Sequence, residues 1–110
     1  MERMLAIRLP CWPADRATRS LRKREAWPPE GIPLQVAQAR ALRSFAAWCL
    51  RYGPRAVVEA SPGEHAVCVQ VTGCEQVHGG WPQLLARVRQ DLARLQLQGT
   101  AAIEIGRAHV

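Results

Sequence analysis

The residues of this 110-residue chain that could do chemistry are four cysteines, three histidines and nine carboxylates. The cysteines stand at 11, 49, 68 and 74, with no Cys-x2-Cys pair among them. Cys74 and His78 make the one close Cys/His pair. A structural metal asks for about four converging ligands, and no second pair is present, so neither a metal nor another cofactor is expected. Cys49 falls on an apolar helical face and Cys68 in a valine-rich run, which predicts small core hydrophobes rather than nucleophiles. His65, His78 and His109 have no visible Ser or Asp partner, which argues against a hydrolytic triad. Gly79-Gly80 precedes a helical pattern and could offer backbone N–H groups to an anion. Trp81-Pro82 follows, however, proline removes a donor, and no Lys-Ser/Thr pair completes a phosphate loop. A tight strand-to-helix connection is the simpler expectation.

Charge gives a second kind of candidate. The net charge is +6, and 14 of the 15 basic residues are Arg. Arg presents a planar fork that matches phosphate, although the 17 Ala residues point equally to GC-rich codon usage. Residues 1–55 carry 11 basic and 4 acidic groups; residues 56–110 carry 4 and 5. The basic half suits a polyanion such as DNA, and a solvated Arg-rich surface is the plain alternative. The DNA-binding candidates are Arg16, Arg19, Arg22, Lys23 and Arg24 in one cluster, with Arg40, Arg43 and Arg51 as a second stripe.

The elements that must position these residues follow from periodicity. Met4–Leu9 is a short apolar run ended by Pro10, a first strand. Ala14, Ala17 and Leu21 share a face, so a short basic helix is predicted there. Residues 35–52 are a strong helix with Leu42, Phe45, Ala46 and Cys49 on one side, stopped by Gly53-Pro54. Ala56–Ala60 and His65–Val71 form a hairpin around Ser61-Pro62-Gly63-Glu64. Val67, Val69 and Val71 alternate with Ala66, Cys68 and Gln70, and both faces are apolar enough for an interior strand. A second helix from Pro82 presents Leu84, Leu85, Val88, Leu92 and Leu95, with Gly99 as its stop. Thr100–Ile105 is a last strand.

The order is β-α-β-β-α-β, the pattern of a ferredoxin-like α+β sandwich. The expected architecture is a four-stranded antiparallel sheet with helices on one face. One use of that fold is the palm of nucleotide polymerases, where carboxylates on the first strand and central hairpin hold two metal ions. Neither MLAIRLPCW nor HAVCVQV contains a carboxylate; Glu59 and Glu64 only flank the latter, and Glu64 reads as a turn residue. A two-metal site is not supported. No apolar run is long enough to span a bilayer and no secretory leader is visible, so a cytoplasmic protein without a membrane partner is expected.

The opening MLAIRLPCWPADRATRSLR resembles the N-terminus of ImuB-type proteins, catalytically degenerate relatives of Y-family translesion DNA polymerases. Leu9, Pro10, Cys11, Trp12 and Pro13 match the Leu-Pro-x-Trp-Pro that stands in that family where an active polymerase has its first metal-binding Asp. Val71, Thr72, Gly73, Cys74, Gly79 and Gly80 match its Val-Thr-Gly-Cys-x-x-x-Phe-Gly-Gly motif, with His78 in place of Phe. The positions matching the Asp-Glu pair of active enzymes are His65 and Ala66, and the Asp usual before Val-Thr-Gly is Gln70.

The resemblance implies a truncated palm-like domain over residues 1–105, with the fingers segment largely deleted around residues 22–38. It implies no polymerase activity and a role as adaptor in damage-induced (SOS) translesion synthesis and DNA repair. The implied partners are DNA, an error-prone replicative-type polymerase, a RecA-like accessory protein and the sliding clamp. Residues 106–110 form a tail, and Ile105–Val110 looks like a translated sequencing adapter, which implies an artificial cut in the frame. Two other readings stand beside this one: a small basic nucleic-acid-binding module, and a remnant without activity. The aromatics Trp12, Trp27, Phe45, Trp48, Tyr52 and Trp81 avoid the predicted strands, which argues against RNA recognition by base stacking on the sheet.

Overall fold

The computed structural model describes residues 2–10, 12, 27, 29–61 and 64–105. The predicted basic helix, with Arg16, Arg19, Arg22, Lys23 and Arg24, lies outside the described residues, as do Pro13, Cys11 and the 106–110 tail.

Alternating apolar residues build four strands: β1 (Arg3–Leu9), β2 (Arg55–Ser61), β3 (Glu64–Gln70) and β4 (Thr100–Ile105). They form one antiparallel sheet in the order β2-β3-β1-β4. β3 is interior, as its two apolar sides predict. Glu64, expected in the turn, is instead the first residue of β3 and pairs with Ser61.

Two helices follow the 3.6-residue pattern, α1 (Leu34–Trp48) and α2 (Trp81–Arg94). The single helix expected over 35–52 stops at Trp48, and a 3-10 turn, Cys49–Arg51, completes it. Tightening of this kind is common where the last turn must reach a break, here Gly53-Pro54. Gly53 touches β3: a Cβ there would lie 2.1 Å from the Gln70 carbonyl oxygen, so no side chain fits.

α2 does not stop at Gly99. Gln96 takes the left-handed conformation (φ 58°), and its N–H donates to the Ala93 carbonyl while that of Leu97 donates to Leu92. This double closure satisfies the last carbonyls, and Leu97 folds back into the core with Leu92. Gly99 serves a different purpose, since a Cβ there would come within 2.8 Å of the Arg8 carbonyl oxygen.

Both helices lie on the same side of the sheet. Leu5, Ile7, Leu9, Val67 and Val69 form one cluster with Leu42, Phe45 and Cys49 of the first helical segment and Leu84, Val88 and Leu92 of the second. The opposite face has no covering layer among the described residues. Its central row is Ala102, Ala6, Cys68 and Val57 across the four strands. Among the described residues no helix is long and apolar enough to cross a membrane.

Candidate functional site

The register of β1 on β3 sets the first motif beside the start of β3 and leaves the second, after Gln70, at the opposite end of β1. Leu9 lies opposite His65, and Arg8 opposite Ala66. Leu9 is fully buried, while His65 is half-buried and its Nδ1 atom is buried without a hydrogen-bond partner among the described residues. Pro10 is exposed beyond the strand. Trp12 packs against Phe45 with ring centres 5.7 Å apart, and its indole N–H points to the Gln38 carbonyl oxygen at 3.4 Å. A cleft of about 320 Å³ opens here, lined by Trp12, Gln38, Leu42, Arg43, Val58 and His65 among others, with no carboxylate. His65 and Gln38 can exchange hydrogen bonds with a ligand, and Trp12 supplies an apolar wall, but no group here can bridge two divalent cations.

The second motif is a loop built by backbone requirements. Val71 is buried, and its N–H donates to the Arg3 carbonyl. The Arg3 N–H in turn donates to Thr72 Oγ1 at 2.9 Å, so Thr72 extends the β1–β3 pairing by one side-chain bond. Cys74 N–H donates back to the Val71 carbonyl, closing a turn through Gly73. Gly79 and Gly80 both have positive φ, 80° and 107°, which L side chains rarely adopt. Gly80 N–H is committed to the Glu75 carbonyl at 2.8 Å. The pair is the strand-to-helix connection expected from its sequence, with that donor already used. His78 Nε2 donates to the Tyr52 carbonyl at 2.8 Å, tying this loop to the end of the first helical segment.

The three described cysteines, Cys49, Cys68 and Cys74, do not meet. Cys49 is fully buried, and burial pushes its thiol up to about 12. Cys68 is half-buried on the uncovered face, where burial, then the nearby Glu59 and Glu104 carboxylates, push its thiol up to about 11. Cys49, Cys68 and Cys74 are all free thiols, and no three of His, Cys, Asp and Glu converge among the described residues. Neither raised thiol supplies appreciable thiolate near neutral pH.

Of the basic candidates, Arg40, Arg43 and Arg51 are exposed, Arg43 at the border of the cleft beside His65. The guanidinium of Arg51 sits 3.8 Å over the Trp48 ring, which also stacks on Phe45. The structure adds Arg87, Arg89 and Arg94, exposed on α2 and not singled out from the sequence. The half-chain charge balance concealed them, because the acids that offset them lie elsewhere. Glu59, Glu64 and Glu104 are on strands, at positions facing away from the helices. The one carboxylate within either helix is Asp91, and it is buried. Tyr52 Oη donates to Asp91 Oδ2 at 2.6 Å, and Arg87 and Arg94 stand 3.8 and 3.7 Å from the carboxylate. A lone acid on the Leu84, Val88, Leu92 stripe was the signal present in the sequence for this buried bond.

The exposed helical surface therefore offers Arg and Gln side chains and no exposed carboxylate. The aromatic rings stay off the strands, as expected. Such a surface can attract a polyanion through its backbone charges but has no platform on which to read bases. No known protein family, no curated protein and no solved structure matches the chain.

Proposed function

We propose that the chain is a palm-like piece of a non-catalytic, ImuB-type relative of the Y-family polymerases, acting as an adaptor in damage-induced translesion DNA synthesis. The βαββαβ order with sheet order β2-β3-β1-β4 is what a ferredoxin-like palm requires. The observation that carries the proposal is the pairing of Leu9 with His65 and Arg8 with Ala66. The resemblance aligns His65 and Ala66 with metal-binding carboxylates and begins its Leu-Pro-x-Trp-Pro motif at Leu9; these residues meet at one end of the sheet, and none of them is a carboxylate. A fold retained without its reactive groups suits a protein that positions partners: an error-prone polymerase, a RecA-like accessory protein and the sliding clamp. Primer extension by the purified chain with Mg²⁺ or Mn²⁺ is expected to give no product, and measurable extension overturns the non-catalytic reading. The family role is tested separately by a long read of the locus. A frame continuing past Ile105 into thumb-like sequence supports it, and a stop directly after Val110 counts against it.

A second reading, nucleic-acid backbone binding, is favoured by the carboxylate-free outer surface of the helices. Binding of a labelled DNA oligonucleotide, followed by fluorescence anisotropy, is expected to weaken about tenfold or more between about 50 and 200 mM salt. Replacing Arg87, Arg89 and Arg94 by Gln is expected to lower the salt slope by about 0.9 for each phosphate no longer neutralised. Salt-independent binding, or a slope unchanged in the triple variant, rejects this surface.

A further inference from the structure

We propose that the free edge of β2 pairs with β2 of a second copy of this chain, joining two four-stranded sheets into one. β2 is an outer strand of the sheet, seven residues long, and among the described residues nothing pairs with its outer side. Natural proteins usually blunt such an edge with a short strand, a bulge or proline. Here the middle of the strand is Ala56-Val57-Val58, with Val57 56% exposed.

The strand is complementary to itself. An antiparallel pair with its two-fold axis at Val57 puts Val57 opposite Val57 of the other copy. In the same register Arg55 stands opposite Glu59, and the contact occurs twice. All three residues are exposed and share one face of the sheet, because their cross-strand partners Gln70, Cys68 and Ala66 do. Neither Arg55 nor Glu59 forms an ion pair among the described residues; Glu59 meets the Cys68 thiol, and its charge is still unpaired, so both charges can meet a partner. Directly opposed unlike charges and β-branched pairs are the contacts that stabilise an antiparallel ladder.

The helical side of this edge fits the same partner. Ala46, Ala47, Leu50, Ala56 and Val58 line an open apolar groove between α1 and β2, bordered by Arg43. Leu50 is 48% exposed there. A second copy laid along β2 brings its own Leu50 and Ala47 to this groove, and the small alanines leave room for it. The other outer strand, β4, lacks these features. Its Glu104 already accepts from Arg8 at 2.7 Å, and a two-fold at Ala102 sets Thr100 opposite Glu104.

The test is sedimentation equilibrium on the full chain at tens of micromolar. The expected mass is twice the 12.2 kDa of one chain. Arg55→Glu and Glu59→Arg, each alone, oppose like charges twice and are expected to weaken the dimer about tenfold or more. An equimolar mixture of the two variants restores both opposite-charge contacts and is expected to recover the dimer. A monomeric wild type, a single variant that keeps the wild-type affinity, or a mixture that stays monomeric overturns the proposal. Hydrogen exchange needs no variant: those amides of residues 55–59 that point away from β3 gain protection with protein concentration if β2 is the interface. A dimer without that gain assigns the contact to another surface.

Discussion

On one face of the sheet Leu5, Ile7, Leu9, Val67 and Val69 are fully buried beneath the two helices. On the other face Met4, Ala66, Cys68 and Gln70 come from the same strands, alternate with those residues and keep part of their surface in water. The covered face is built of large branched side chains; the centre of the open face is Ala102, Ala6, Cys68 and Val57. Charge divides differently again: the helices expose Arg and no carboxylate, whereas the open side of the sheet mixes Arg8 and Arg55 with Glu59, Glu64 and Glu104. The difference teaches that stability and recognition draw on separate residues of the same strands. Among the described residues the helical side thus carries Arg40, Arg43, Arg51, Arg87, Arg89 and Arg94 against the single buried carboxylate of Asp91.

The sharpest way to break this comparison is to truncate neighbours of opposite orientation. Ile7→Ala is expected to cost about 2–5 kcal/mol of unfolding free energy, because it empties a fully buried site. Cys68→Ala, on the open face, is expected to cost less than about 1 kcal/mol. Urea denaturation of the two variants measures both; equal losses would mean that the open face is covered in solution.

Alkaline pH separates the faces next. Burial raises the Cys49 thiol from 9.0 to about 12. Burial first, then the hydrogen bond and charge of Asp91, also raises the Tyr52 hydroxyl. Both groups are held neutral in the fold and ionise more readily when unfolded. The Cys49 stabilisation is therefore complete below about pH 9 and is lost as pH rises toward 12, while that of Tyr52 begins to be lost only above about pH 10, each by at most about 1.4 kcal/mol per pH unit. For Cys68 the corresponding window closes at about 11. Urea midpoints measured from pH 8 to 12 are expected to fall, and Cys49→Ala to flatten that fall more than Cys68→Ala above about pH 11, where the Cys68 contribution is already spent. A parallel fall in the two variants contradicts the assignment.

The smallest expected effect belongs to Arg8 and Glu104, which meet at 2.7 Å across the open face with half their surface in water. A double-mutant cycle is expected to give about 0.2–1 kcal/mol, shrinking in high salt.

The covered face was legible in the sequence. The alternation Val67, Val69, Val71 and the spacing of Leu42, Phe45, Ala46 and Cys49 identify it directly, because periodicity records burial. The helix ends were less legible. Gly99 has the look of a stop, yet its lack of a Cβ answers to the Arg8 carbonyl, which is distant in sequence and near in space. Gln96 carries no local sign of its left-handed turn; the return of Leu97 to the core selects it. The candidate site was half legible. Its motif residues could be named, but only the strand register places Leu9 beside His65. Arg87, Arg89 and Arg94 stayed hidden in a balanced half-chain charge until the sheet assigned the acids to the opposite side.

The position of β1 bears on the birth of the protein. β1 bonds β3 on one side and β4 on the other, so Met4 pairs with both Gln70 and Glu104. The first of the four strands to be synthesised is thus an inner one, and one of its edges is closed by the last of the four. High contact order of this kind slows folding, because a long loop must close before its contacts form. On the ribosome, Leu5, Ile7 and Leu9 emerge early and wait for residues 100–105. During that interval the edge of β1 that β4 will close is open to pairing with a neighbouring nascent chain.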